Sequence, residues 1–440
     1  MSDARIETVR ARQVFDSRGR PTVEVDVVLS DGTLGRAAVP SGASTGRHEA
    51  VELRDGDAHV YAGRGVLNAV HNVEQRIAPL VRGFDVRLQR ELDAHMCELD
   101  GTSDLRGVGA NAVAGVSMAA CRAAATLERQ PLFQRIAELG GVAQPVLPLP
   151  MVNILSGGAH AGRGMDLQDF MAIAVGAATL DDALAIVSRV RDAARERLAA
   201  RGLPTLLADE GGFAPGFRTS EEALDLMVQA IEDAGYAPGR DVSIAIDVAA
   251  TQLADGAGRY RLERSARTLS ADELVALVTE WLRRYPIVSI EDPLGEDDWN
   301  GWRHLATQAG DVCQWVGDDL FCTDPARIRR GIEERVANAV LIKINQIGTL
   351  SGTLDALALA RQHGYRTIVS ARSGETEDSF IADLAVGTAA GQIKIGSLST
   401  SERLAKYNQL LRIQEYLGAD HFAPGRSVFT FDRISSARRS

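Results

Sequence analysis

At 440 residues, with 45% apolar and 24% charged side chains, the chain has a globular balance and more length than one hydrophobic core usually organises. A formal net charge of −11 and the lack of a dense Lys/Arg run exclude nucleic acid as a first partner; the closing ARRS reads as a frayed tail. Cys97, Cys121, Cys313 and Cys322 form no C-x-x-C pair or zinc cluster, MSDARIETVR has no signal core, and no apolar run reaches membrane-spanning length, so a reduced, cytoplasmic protein without a membrane partner is expected.

Residues 4–39 alternate as strands do. In TVEVDVVL (22–29), Val23, Val25 and Val27 share one face and Glu24 and Asp26 the other, and the turns SRGRP and SDG predict an antiparallel meander. PSGASTG (40–46) reads as a mobile loop, and helical text follows to about residue 138, including the alanine-rich stretch 111–130. Residues 1–138 are therefore expected to form an α+β domain, and the connector QPVLPLP (144–150) marks the passage to a second domain, 139–440.

Beyond the connector, strands and helices alternate. Capping signals Thr179…Asp182, Thr219…Glu222 and Ser270…Glu273 open helices. Six short apolar strands are expected at 242–247, 287–292, 313–318, 339–344, 366–371 and 392–396. The pattern predicts a parallel sheet closed into an α/β barrel; an open doubly wound sheet is the rival, weakened by the lack of G-x-G-x-x-G after the first strand.

Those strands finish on Asp247, Glu291, Asp318, Lys343, Arg372 with Ser373, and Lys394, at gaps of 44, 27, 25, 29 and 22 residues. Each gap suits one strand–helix repeat, and in a barrel such ends converge on one mouth. Asp209 and Glu210 in LADEGG (207–212) are expected at another strand end, and Asp169 in LQDFMAI joins them. Singly, each has a plainer reading: a helix cap, a turn at Glu291-Asp292-Pro293, a lysine reaching to water. Recurrence at the same point of six consecutive units favours a site. Three carboxylates from separate strands make a hard oxygen cage suited to Mg²⁺. A lysine among them, Lys343, is pulled toward neutrality by burial and away from it by the acids; beside a divalent cation it suits the removal of a proton next to a carboxylate.

FDSRGRPTVEV (15–25), VPSGASTG (39–46), GGAHAG (157–162), DEGGFAP (209–215), IEDP (290–293), GDDL (317–320), LIKINQIGT (341–349), RSGETED (372–378) and SERLAKYNQLLRI (401–413) are among twelve ordered blocks by which the chain resembles the enolase family over nearly its full length. The resemblance implies a small α+β domain followed by an eight-stranded α/β barrel, assembled as homodimers or dimer-based octamers. It implies two Mg²⁺ per site, the tighter held by Asp247, Glu291 and Asp318, the second with help from Ser41. Lys343 would take the C2 proton of 2-phosphoglycerate, Glu210 would protonate the departing C3 hydroxyl, and Asp169 would help Glu210 place it. Lys394 would pair with the substrate carboxylate, Arg372 and Ser373 with its phosphate, and His160 would approach from GGAH.

Several positions depart from the family pattern. Asp169 stands where the usual Q-E-F has glutamate, Ala371 where a histidine belongs, Ser156 where N-G-G begins, and IGSLSTS (395–401) lacks the usual arginine. TSDLRG (102–107) also replaces the usual E-N-K-S-x-L. The metal ligands, the base and the phosphate arginine are kept. Losing an acid–base group from an ordinary site costs about 10²–10⁴-fold. Three readings stay open here: dehydration of 2-phosphoglycerate in glycolysis; the same chemistry on a related phosphorylated or phosphonylated hydroxy acid, such as the carboxyphosphonoenolpyruvate-type step of phosphonate or phosphinate biosynthesis; and a weakly active binding protein.

Overall fold

The computed structural model describes residues 4–43, 45–423 and 425–429; the opening tripeptide, Ser44 of the expected mobile loop and the closing ARRS lie outside them. Strands β1 (Ile6–Phe15), β2 (Pro21–Leu29) and β3 (Leu34–Ala38) form the expected antiparallel meander. Val23, Val25 and Val27 are fully buried, and on the other face Asp26 pairs with Arg12 and Arg36. Their apolar face lies on the helix Ala110–Leu127, whose small residues let it come close: a Cβ on Gly115 would fall 2.6 Å from a Val25 methyl.

Residues 47–60 are not helical, contrary to the sequence expectation; the segment is extended and continuous α-helix begins at Leu67. Tertiary partners override local propensity here. Ala50 N–H donates to the Gln346 carbonyl (2.8 Å), Val51 N–H to the Asp104 carbonyl (2.7 Å), and Leu53 N–H to Asn111 (3.2 Å). The segment thus ties the meander's helix to the barrel mouth.

The second part is a closed barrel rather than an open sheet. Its strands are β4 (Leu149–Ser156), β5 (Asp169–Ile173), β6 (Ser243–Asp247), β9 (Ile287–Glu291), β10 (Gln314–Gly317), β11 (Ala339–Ile342), β12 (Arg366–Ser370) and β13 (Gly391–Gly396), joined in the order β10-β11-β12-β13-β4-β5-β6-β9. A separate ribbon, β7 (Tyr260–Leu262) with β8 (Arg267–Leu269), projects from the β6–β9 connection. The sheet is not wholly parallel: β5 pairs antiparallel with both β4 and β6. Its first residue, Asp169, therefore reaches the mouth that the other strands reach with their last residues.

The expected caps are formed. Thr219 and Ser270 make reciprocal capping boxes with Glu222 and Glu273, whereas Thr179 accepts from Asp182 N–H without a return bond. LADEGG is a loop, not a strand end. It holds only an isolated bridge, Leu207 to Phe213, because Gly211 takes a φ of +82° and Gly212 crosses too close to Asn153 and Ser156 for any side chain.

Candidate active site

Backbone register builds the floor of the mouth. Ser156 lies opposite Asp169, Asp169 opposite Asp247, and Asp247 opposite Glu291, so four polar residues form one row across β4, β5, β6 and β9. Asp318 follows β10 by one residue, and Lys343 follows β11 by one and opens the helical turn Ile344–Ile347. Lys394 projects from within β13 rather than from its end.

Lys343 points inward. Its side chain is only 12% exposed, and its ammonium donates to Asp318 Oδ2, while Gln346 Nε2 donates to Asp318 Oδ1 (2.9 Å). Burial opposes the lysine's charge, but the Asp318 carboxylate outweighs it and holds the amine's pKa above its ordinary value. Lys394 is bound more tightly still: its ammonium donates to Asp247 Oδ2 (2.7 Å) and to both oxygens of Glu291 (2.9 and 2.8 Å). Gln168 Nε2 also donates to Asp247 Oδ2 (3.1 Å).

The leaving-group side centres on His160. Its Nε2 lies 3.0 Å from Asp169 Oδ1 and its Nδ1 lies 3.6 Å from Glu210 Oε1. Burial disfavours the imidazolium, yet the charges of Asp169 and Glu210 prevail and raise its pKa to about 9. Glu210, for which burial alone would do the opposite, is held below its ordinary value chiefly by His160. The two carboxylates thus favour the charged imidazole, while burial pushes the Asp169 carboxyl up. Asp169 Oδ1 also accepts from Ser156 Oγ (3.1 Å) and Asn153 Nδ2, and its other oxygen is buried without a partner.

Opposite, Arg372 is engaged by Glu49 (3.0 and 3.2 Å) and by Asn345 Oδ1 (3.0 Å). The Ser373 hydroxyl accepts from Ala43 N–H (2.7 Å) and Arg18 Nη1 (3.3 Å). The fully buried Arg403 donates to the carbonyls of Arg372 (2.7 Å), Ser373 (2.8 Å) and Ile395 (3.0 Å), which fixes this corner. His160, Gln168, Glu210, Lys343, Ser370, Ala371, Arg372, Ser373 and Lys394 line one narrow cleft, with free space of about 20 Å³.

The predicted residues are thus brought together, with one set apart. Ser41 is buried in a bridge to Gly374; its hydroxyl donates to Glu52 Oε2 (3.1 Å) and accepts from Arg54 Nη2 (2.7 Å), so its contacts are with these groups rather than with the carboxylate trio. Sequence reasoning missed Glu49, Asn153, Gln346 and Arg403. For Gln346 the signal was present: a polar side chain one helical turn after Lys343. For Glu49 none was, because its partner lies 323 residues away.

The residues suit a hard divalent cation. Among the described residues, Asp292, Asp318 and Asp319 bring carboxylate oxygens within 4.8 Å of one another, as do the ligand atoms of His160, Asp169 and Glu210. Of the trio Asp247, Glu291 and Asp318, the first two share the Lys394 ammonium, whereas Asp318 pairs with Lys343. Burial, then the charge of Asp247, pushes Glu291 well above the usual carboxylate range, and burial with Asp318 pushes Asp319 to about 7. Buried carboxylates outnumber the cations facing them, and every donor of the trio is an oxygen; Mg²⁺ answers both conditions. Among the described residues, no helix is long and apolar enough to cross a membrane.

Residues 6–136 match the family model described as enolase, N-terminal domain, and residues 144–431 match that described as enolase, C-terminal TIM barrel domain. A curated relative, Enolase from Acidothermus cellulolyticus, is 55% identical over 430 residues, covering 98% of this chain and 98% of its own.

Proposed function

We propose for this chain, which belongs to the enolase family, the Mg²⁺-dependent loss of water from 2-phosphoglycerate to give phosphoenolpyruvate. The chain is a carbon–oxygen hydro-lyase; the substrate, the metal and the residue roles are our reading of its site. The observation that carries it is the inward Lys343 amine, beside Asp318 and open to the cleft.

Asp247, Glu291 and Asp318 would hold Mg²⁺, with Ser41 assigned to a second ion. Bound there, the metal supplies positive charge that offsets the charge growing on the substrate carboxylate as C2 loses its proton. Lys343 takes that proton in its neutral form, which burial favours and the Asp318 charge opposes. Arg372 and Ser373 bind the phosphate, and Arg372 exchanges Glu49 for it. Lys394 pairs with the substrate carboxylate. On the far side Glu210 delivers a proton to the C3 hydroxyl, drawing on the protonated His160 beside it, and the C–O bond breaks with departure of water. Asp169 keeps the imidazole oriented.

One observation favours a second reading. Ser156 donates to Asp169, Asp169 binds His160, and Ala371 lines the same cleft, so three departures from the family pattern gather around the leaving-group side. A related phosphorylated or phosphonylated hydroxy acid, losing water by the same steps, would use the kept half and differ at the altered half. Phosphoenolpyruvate formation from 2-phosphoglycerate with Mg²⁺ tests both. Turnover of about one per second or more supports the first reading. Far slower turnover with exchange of the C2 hydrogen into solvent supports the second.

A further inference from the structure

Asp292 follows Glu291 at the end of β9 and precedes Pro293, the composition of a simple turn. Its contacts are those of a joint. The residue is 2% exposed and takes a φ of +39°, a region that side-chain-bearing residues rarely adopt and that aspartate tolerates better than most. Its N–H donates to the Val316 carbonyl of β10 (2.9 Å), and its carbonyl accepts from Ala250 N–H, just past β6 (3.1 Å). Its carboxylate accepts from Asp318 N–H (2.9 Å) and Asp319 N–H (2.7 Å). One residue therefore clasps the ends of three adjacent strands, and those strands carry Asp247, Glu291 and Asp318.

We infer that Asp292 is a positioning residue that fixes the mutual spacing of the three carboxylates and so sets the affinity of the site for a divalent cation. The inference rests on reading that trio as the metal site. The chain's left-handed turn alone could be made by glycine or asparagine. What neither supplies is a pair of acceptor oxygens for two successive N–H groups: in Asp292→Asn the amide would set an N–H against an N–H, and in Asp292→Gly both acceptors are gone. Without them the backbone at Asp318 loses its anchor to β9, only Lys343 and Gln346 still hold its carboxylate, and the spacing of the trio loosens.

The test is calorimetric titration of Mg²⁺ into metal-free wild-type protein and both variants, without substrate, alongside circular dichroism to establish folding. Partners of metal ligands typically control affinity by about 10–100-fold, so folded Asp292→Asn and Asp292→Gly are expected to bind Mg²⁺ at least about 10-fold more weakly. Their activity should recover at high Mg²⁺, with the half-saturating Mg²⁺ concentration shifted by the same factor. Wild-type affinity in either folded variant overturns the inference. Loss of fold in both also overturns it, since Asp292 would then hold the barrel together rather than tune its mouth. Failure of wild-type protein to bind Mg²⁺ strikes the underlying metal assignment instead.

Discussion

Replacing His160 by glutamine is expected to change how stability depends on pH. In the folded chain the imidazole is opposed by burial but sustained by Asp169 and Glu210, and holds its proton to about 9 rather than 6.5. A proton bound more tightly by the folded than by the unfolded chain stabilises the fold. That contribution is complete below the unfolded value of about 6.5 and is lost as pH rises through about 9. The interval corresponds to about 3 kcal/mol. Urea unfolding of metal-free wild-type and His160→Gln protein at about pH 6 and about pH 9.5 reads it, since groups remote from the site cancel in the difference, whereas Asp169 and Glu210, without the imidazolium, take up protons more readily in the variant and offset part of it. The gap in unfolding free energy should narrow from the lower to the higher pH, by at most about 3 kcal/mol. A gap that stays constant or widens would refute the placement of a charged imidazole between two carboxylates.

Two further outcomes are expected. A Cβ on Gly35 would lie 2.1 Å from the Ala119 carbonyl oxygen and 2.4 Å from Ala123 N, so Gly35→Ala should push the helix Ala110–Leu127 off β3 at a cost of about 1–3 kcal/mol. Scanning calorimetry reads this as a lowered Tm, and an unchanged Tm would mean that the helix retreats without loss. Should the second substrate reading hold, Asp169→Glu combined with Ala371→His should raise turnover of 2-phosphoglycerate; no gain in the double variant would show that these positions do not set substrate choice.

The barrel was legible because its strands are short apolar runs ending in a charge at a repeat of one strand plus one helix. Each of the six expected strands is present, from β6 to β13, to within a residue or two at either end. The direction of β5 was not legible. An apolar strand of five residues reads the same in either sense, so Asp169 reached the mouth by a route that periodicity could not show. LADEGG misled because the apolar Leu206 and Leu207 precede its charges, although they are exposed and the paired glycines bend the chain. The extended path of 47–60 depends on partners in the barrel and in the Ala110 helix, and local propensity carries no trace of them. Asp292 was readable as a turn residue, but its hold on Asp318 and Asp319 exists only once β9 and β10 lie side by side.

Hydrogen–deuterium exchange at C2 of 2-phosphoglycerate, with Mg²⁺ present, compares wild-type protein with Lys343→Ala. The wild-type protein is expected to exchange this position or carry it on to phosphoenolpyruvate, and the variant to do so slower by about 10²-fold or more. Exchange by Lys343→Ala at the wild-type rate would contradict the assignment of the amine at the barrel mouth as the group that takes the proton.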